Sequence, residues 1–164
     1  MNFNLNANTY YAYMRQIASQ HKEIGADIPN ENRNHFFIGE LQDFYNGLRS
    51  RVLFPALVVE GFSLNLLDNQ EALYRESAFT VTFPYEQEDN YDQQTECFSK
   101  SEDIGKEILR KMLLDAENAN CPISISDIAG TMILNNTERY AGIRFSFTLV
   151  NANTNTINKS KWNI

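Results

Sequence analysis

Tyr10, Met14, Ile17, His21 and Ile24 recur at three- and four-residue spacing, which puts them on one face of a first helix. Asn8 or Thr9 can cap it, and Gly25 fits just past its end. A polar stretch over 27–34 contains Pro29. Phe37, Leu41, Phe44, Tyr45 and Leu48 then repeat the helical spacing and predict a second helix over 35–49. Pro55 resets the chain, and the period changes. Over 56–66, Leu57, Val59, Gly61 and Ser63 fall on one face, with Val58, Phe62, Leu64 and Leu66 mainly on the other. A strand apolar on both faces is central or covered on both sides. Glu60 interrupts it. After a loop at 68–70, residues 76–85 alternate Phe79, Val81 and Phe83 with Ala78, Thr80 and Thr82, a strand that pairs antiparallel with the one before.

The strongest pattern is a long helix over 92–118. Cys97, Ser101, Ile104, Ile108, Met112 and Ala116 trace its buried face, with Phe98, Leu109 and Leu113 beside them. Glu102 with Lys106, and Glu107 with Lys111, are favourable pairs four residues apart on the opposite side. Strands return over 123–128 and 131–134, and Asn135 and Asn136 mark a turn. In the last strand, over 140–150, Ile143, Phe145, Phe147 and Leu149 point inward, while Arg144, Ser146 and Thr148 point out. The order predicts an α+β fold: an antiparallel sheet covered by a long amphipathic helix, with an N-terminal helical pair. A single domain over 9–150 is flanked by an N-terminal arm (1–8) and a C-terminal arm (151–164). Both arms repeat Asn, which favours turns over helix and strand interiors. Phe3, Leu5, Ile157, Trp162 and Ile164 give them apolar anchors.

The 164 residues fit one domain, long enough to fold without a disulfide or a metal. Hydrophobic residues at 43% and charged residues at 21% argue against a disordered chain. A net charge of −7 argues against gripping a phosphate backbone, which is held by Lys and Arg. Cys97 and Cys121 stand far apart without the histidines or second pair of a zinc site, and read as free thiols in the cytoplasm. The first eight residues lack the basic start and apolar stretch of a secretory signal, and the run 52–59 is too short to span a bilayer.

Candidate chemistry is sparse. His21 and His35 have no triad partners in order and read as packing or surface residues. Both cysteines read as small buried or half-buried hydrophobes. Glu86, Glu88, Asp89, Asp92 and Glu96 offer hard oxygens to a divalent cation, but without the Gly and spacing of an EF-hand loop. A solvated loop that sets acids before a helix N-terminus explains them better. Arg33, Arg49 and Arg51 read as a small surface patch. No catalytic residue, metal ligand or cofactor site is predicted. Tyr10, Tyr11 and Tyr13 cannot all face one core from one helix, so they form a candidate interface, with a semi-exposed helix as the even alternative.

Three segments resemble the tail-terminator and neck ring (head-to-tail connector) proteins of tailed bacteriophages. They are Phe-Pro-Ala-Leu-Val-Val-Glu-Gly at 54–61, Ile-Gly-Lys-Glu-Ile-Leu at 104–109 and Gly-Ile-Arg-Phe-Ser-Phe-Thr-Leu at 142–149. The Asn-rich tone and aromatic start look like crAss-like phages of the gut. The resemblance covers about residues 9–150. It implies a structural virion protein, assembled in the host cytoplasm, without enzymatic activity or cofactor. Identical subunits would form a homo-oligomeric ring at the portal–tail junction, contacting portal, neck or tail proteins, with DNA passing through unbound. On that reading Glu86, Glu88, Asp89 and Asp92 face the lumen or an adjacent ring, and Trp162 and Ile164 anchor the C-terminal arm on a neighbour. The long Asn-rich ends exceed what a minimal terminator needs, which leaves terminator and other neck ring both open. From the residues alone, a small cytoplasmic binding or inhibitor module remains the alternative, and an enzyme with an unrecognised site the third class.

Overall fold

In a computed structural model, residues 6–25, 34–47, 52–66, 72–118, 123–152 and 159–161 are described. Helix α1 runs Ala7–Gln20, strand β1 Asn34–Ile38, helix α2 Leu41–Gly47, strands β2 Val52–Val59, β3 Ser63–Leu66 and β4 Ala72–Pro84. Helix α3 (Tyr91–Asn118), strands β5 (Ile123–Asn135) and β6 (Tyr140–Ala152), and a 3-10 turn (Lys159–Lys161) follow. The fold is α+β, with one six-stranded sheet in the order β1-β2-β4-β6-β5; β3 pairs with β4 beyond the end of β2.

Helices α1 and α3 lie on one face. Their apolar stripes meet Leu57, Val59, Phe79, Val81, Phe145 and Phe147 in the main core, and α3 packs on β4, β5 and β6. Each such side chain, fully buried, is worth about 1.5–3 kcal/mol, so this face carries most of the stability. Helix α2 covers part of the other face, where Phe44 joins Ala56, Val58 and Tyr140. Strand β2 is thereby covered on both faces, as its two apolar sides require.

Several expectations need correction. The second helix is shorter: His35 to Phe37 lie in β1, and α2 begins only at Leu41. Gly39 separates them at φ +145°, a backbone conformation that a helix cannot pass through. Residues 48–49 of that expected helix lie outside the described residues. The sheet is mixed, because β1 pairs parallel with β2 across the α2 crossover, and the other ladders are antiparallel. Pro55 does not end a segment but sits inside β2.

The expected strand over 56–66 is two strands. The register changes from Val59 opposite Phe79 to Ser63 opposite Glu76, one extra residue on the β2–β3 side. That bulge reverses the alternation. Phe62 therefore packs on the α1 side with Tyr10, rather than sharing a face with Val58. Conversely, 123–128 and 131–134 are one strand, β5, bulged between Ser126 and Ala129, with Asp127 at φ +53°. The strand expected over 76–85 begins earlier, at Ala72.

The ends differ too. Asn6, not Asn8 or Thr9, caps α1. Its Oδ1 accepts from the Thr9 amide at 3.0 Å, while Thr9 Oγ1 accepts from the Asn6 amide at 2.9 Å. Helix α1 ends at Gln20, and Ile24 is buried from the turn that follows. The sheet extends through Ala152, into the expected C-terminal arm.

Candidate functional site

Among the described residues, helix α2 packs on only part of its sheet face, and beyond it the sequence has small and polar side chains. The floor is built from cross-strand pairs of β4 and β6: Thr80 opposite Arg144, Ala78 opposite Ser146, Glu76 opposite Thr148. The β2–β3 bulge forms one wall and Asp127, at the β5 bulge, part of the other. The result is a groove of about 720 Å³, which continues past Arg144 into a smaller hollow beside the start of α2.

At its centre Glu60 and Arg144 make a bidentate pair. Arg144 Nε donates to Glu60 Oε1 and its Nη2 to Oε2, each at 2.7 Å. Glu60 is 9% exposed, so the residue that interrupted the apolar pattern is a buried carboxylate with a matched cation. The hydrogen bond to Glu60, and more weakly the Glu40 charge, push the Arg144 guanidinium above its usual value. The Glu60 backbone continues the ladder, its amide donating to the Ala78 carbonyl at 2.9 Å.

That corner is also linked to α1. Tyr10 and Ser77 hydroxyls lie 2.7 Å apart, and Ser77 donates onward to the Glu60 carbonyl at 3.4 Å. The candidate-interface tyrosines are thus drawn into the subunit itself. Tyr10 is 1% exposed, and Tyr11 and Tyr13 are half-buried against the same core. Three tyrosines face one core from one helix because α1 lies in a trough: Tyr10 points to the sheet, Tyr11 toward Gly61, and Tyr13 across to α3, where its hydroxyl donates to Asp115 at 2.9 Å. Burial holds the Tyr10 and Tyr13 phenols above their ordinary range; the Ser77 bond opposes this for Tyr10, and Asp115 adds to it for Tyr13.

The acidic loop lies at another end of the sheet. Glu86, Glu88, Asp89 and Asp92 are exposed, and residues 87–92 line a shallow hollow of about 400 Å³. Gln93 Oε1 accepts from the amides of Glu86 and Gln87, and Asn90 Oδ1 caps α3 by accepting from the Gln93 amide. Arg139 donates to the Glu86 carbonyl at 2.7 Å, tying the loop to the β5–β6 turn. Among the described residues, no group of three or more His, Cys, Asp or Glu side chains is placed to hold a metal ion.

Cys97 is buried, its thiol raised chiefly by burial, with Sγ 3.5 Å from the Pro84 carbonyl. His35 Nδ1 lies 2.8 Å from the Pro55 carbonyl, and His21 is half-buried. Trp162, Ile164, Cys121, Arg33, Arg49 and Arg51 lie outside the described residues. Among the polar residues at the centre of the groove, the sequence marks Glu60 as an irregularity and Arg144, Ser146 and Thr148 as outward positions. The misplaced carboxylate was the available signal, since a charge in an apolar strand needs a partner.

No described helix is long and apolar enough to cross a membrane. No protein-family model matches the chain, and no curated protein matches it.

Proposed function

We propose that this chain is a structural subunit of a tailed-bacteriophage virion, one of a ring of identical copies at the portal–tail junction around the DNA channel. The observation that carries this reading is that the sheet of the described residues ends in two unlike strands. Among the described residues β1 pairs only with β2 and β5 only with β6, so the sheet ends in two different strands. One edge strand exposes Ile38, the other Ile128, Met132 and Leu134. A closed ring needs head-to-tail contacts between two different patches on each subunit, and an open strand edge is a template for such pairing. The net charge of −7 suits a wall past which DNA slides, because like charge suppresses phosphate binding.

Reconstruction of the particle tests the reading. A closed ring of this chain between portal and tail is the expected result; isolated copies, or absence from the virion, would refute it. The open-face groove favours a second reading, a binding or inhibitor module that takes up a partner segment. Particle association together with molar mass in solution separates the two: a module stays small and outside the virion.

A further inference from the structure

Ile38 on β1, and Met132 and Leu134 on β5, are exposed on the outermost strands of the sheet, and all three stand on its helix side. Ile38 pairs with Val59 of the main core, Met132 with Ile143, and Leu134 with Ala141, which packs with Cys97 of α3. Ladder pairing also sets them at matched heights. One row across the sheet reads Phe36, Leu57, Val81, Ile143, Met132, and the next reads Ile38, Val59, Phe79, Phe145, Gly130. Strand β1 runs antiparallel to β5, because β1 is parallel to β2 and three antiparallel steps lead from β2 to β5. A second copy in the same orientation therefore extends the sheet by an antiparallel pair, the commoner kind. At equal height Met132 falls opposite Phe36, and Gly130 opposite Ile38. Gly130 puts no side chain over the Phe145 ring, so that row has room for the neighbour's isoleucine.

Charge complementarity selects the same occupant. At the β1 side of the chain Arg15 is exposed, its guanidinium 5.0 Å from the centre of the Phe36 ring. At the β5 side an anion stands level with it. Cys97 packs at the row of Leu134 and Gly105 at the row of Gly130, so Glu102 lies between them, near the row of Met132. Asp115, bonded to Tyr13, marks the flank of α3 that faces α1, and Glu102 is roughly 140° round the helix from it, on the β5 flank. Its pairing with Lys106 leaves the Glu102 side chain 48% exposed. We propose that β5 of one copy takes β1 of a second copy as its antiparallel neighbour. Met132 then packs beside the neighbour's Phe36, and the neighbour's Arg15 meets Glu102 across the joint. Backbone pairing supplies affinity, while the apolar and charged contacts fix register. The two patches are unlike, so the contact is head-to-tail, and the inference rests on the ring reading in that respect.

The test places Ile38→Cys and Gly130→Cys in separate full-length chains, which are mixed and oxidised with diamide. Both positions are exposed, and a side chain at Gly130 meets only ordinary van der Waals contacts, so both variants should fold. The expected product is a disulfide joining position 38 of one variant to position 130 of the other, read by mass spectrometry of the non-reduced peptides. A 130–130 link from Gly130→Cys alone would show β5 pairing with itself and overturn the proposal, as would no link. Sedimentation velocity of the full chain gives an independent measure. Met132→Lys, at a side chain 67% exposed, should weaken self-association about tenfold. Arg15→Glu or Glu102→Arg alone should weaken it about threefold or more, and the two together should recover it. Equal association by all variants, or no recovery when the charges are exchanged, overturns the proposal. A closed ring in the particle without the 38–130 link would reject this inference and keep the ring reading; the link in a chain that forms open filaments outside the virion would do the reverse.

Discussion

Gly105→Ala sets two effects of known size against each other. Gly105 lies in the interior of α3, where Ala is favoured over Gly by about 1 kcal/mol, so helix propensity alone predicts a more stable protein. The tertiary structure predicts the reverse. A methyl group at Gly105 would overlap ring carbons Cε2, Cζ and Cδ2 of Phe145, the last at 2.7 Å. That ring has little room to yield. It is 5% exposed, rests on Phe79 with centroids 5.2 Å apart, and has Gly130 on its β5 side. Overpacking of this kind costs about 1–3 kcal/mol, and with the ring pinned the upper part of that range applies. The net expectation is a loss of about 1–2 kcal/mol. For a chain of this length that lowers Tm by about 2–8 °C. Urea denaturation followed by far-UV circular dichroism measures the change, with a thermal melt as a check. Phe145→Leu removes the obstructing ring, so the double variant should be more stable than the sum of the two single losses by about 1 kcal/mol. A Gly105→Ala protein at least as stable as the parent would refute the close approach of α3 to β6.

Arg144→Met leaves the Glu60 carboxylate without its cation. Because the Arg144 side chain is 36% exposed, the loss should be about 1–3 kcal/mol rather than the 3–5 kcal/mol of a fully buried pair, and unchanged urea stability would contradict the role given to the pair. Tyr10 and Tyr13 have folded-state values above that of the unfolded phenol, so their contribution is complete below about pH 10 and declines as pH rises beyond it. Urea stability should fall on that alkaline limb, less steeply in Tyr13→Phe; identical slopes would exclude Tyr13 as a source. Glu86→Lys with Glu88→Lys, leaving Asp89 at its φ of +62°, should slow DNA passage or impair assembly, and normal particles with unchanged infectivity would mark the loop as solvated surface only.

The sequence by itself determined the elements whose signal is local and long. Helix α3 was legible because its stripe repeats from Cys97 to Met112, and it begins and ends within a residue of the expected span. The inward set Ile143, Phe145, Phe147 and Leu149 of β6 was legible because strict alternation in a long strand admits one assignment. Short apolar runs admit two. The Phe37–Leu41–Phe44 spacing satisfies a helix, yet Phe36 is buried beside Leu57 and Val59 only when residues 34–38 form a strand, a gain that depends on β2 being present. Bulges are likewise decided by pairing with a neighbour, so the reversal at 60–62 and the turn of Asp127 into the groove had no periodic signature. In the sequence the tyrosines are too many for one core, because the trough between α3 and the bulge exists only after both have packed. The groove is the extreme case. Glu60, Glu76, Asp127, Arg144 and Thr148 come from four separate stretches of chain, and only sheet register brings their side chains together.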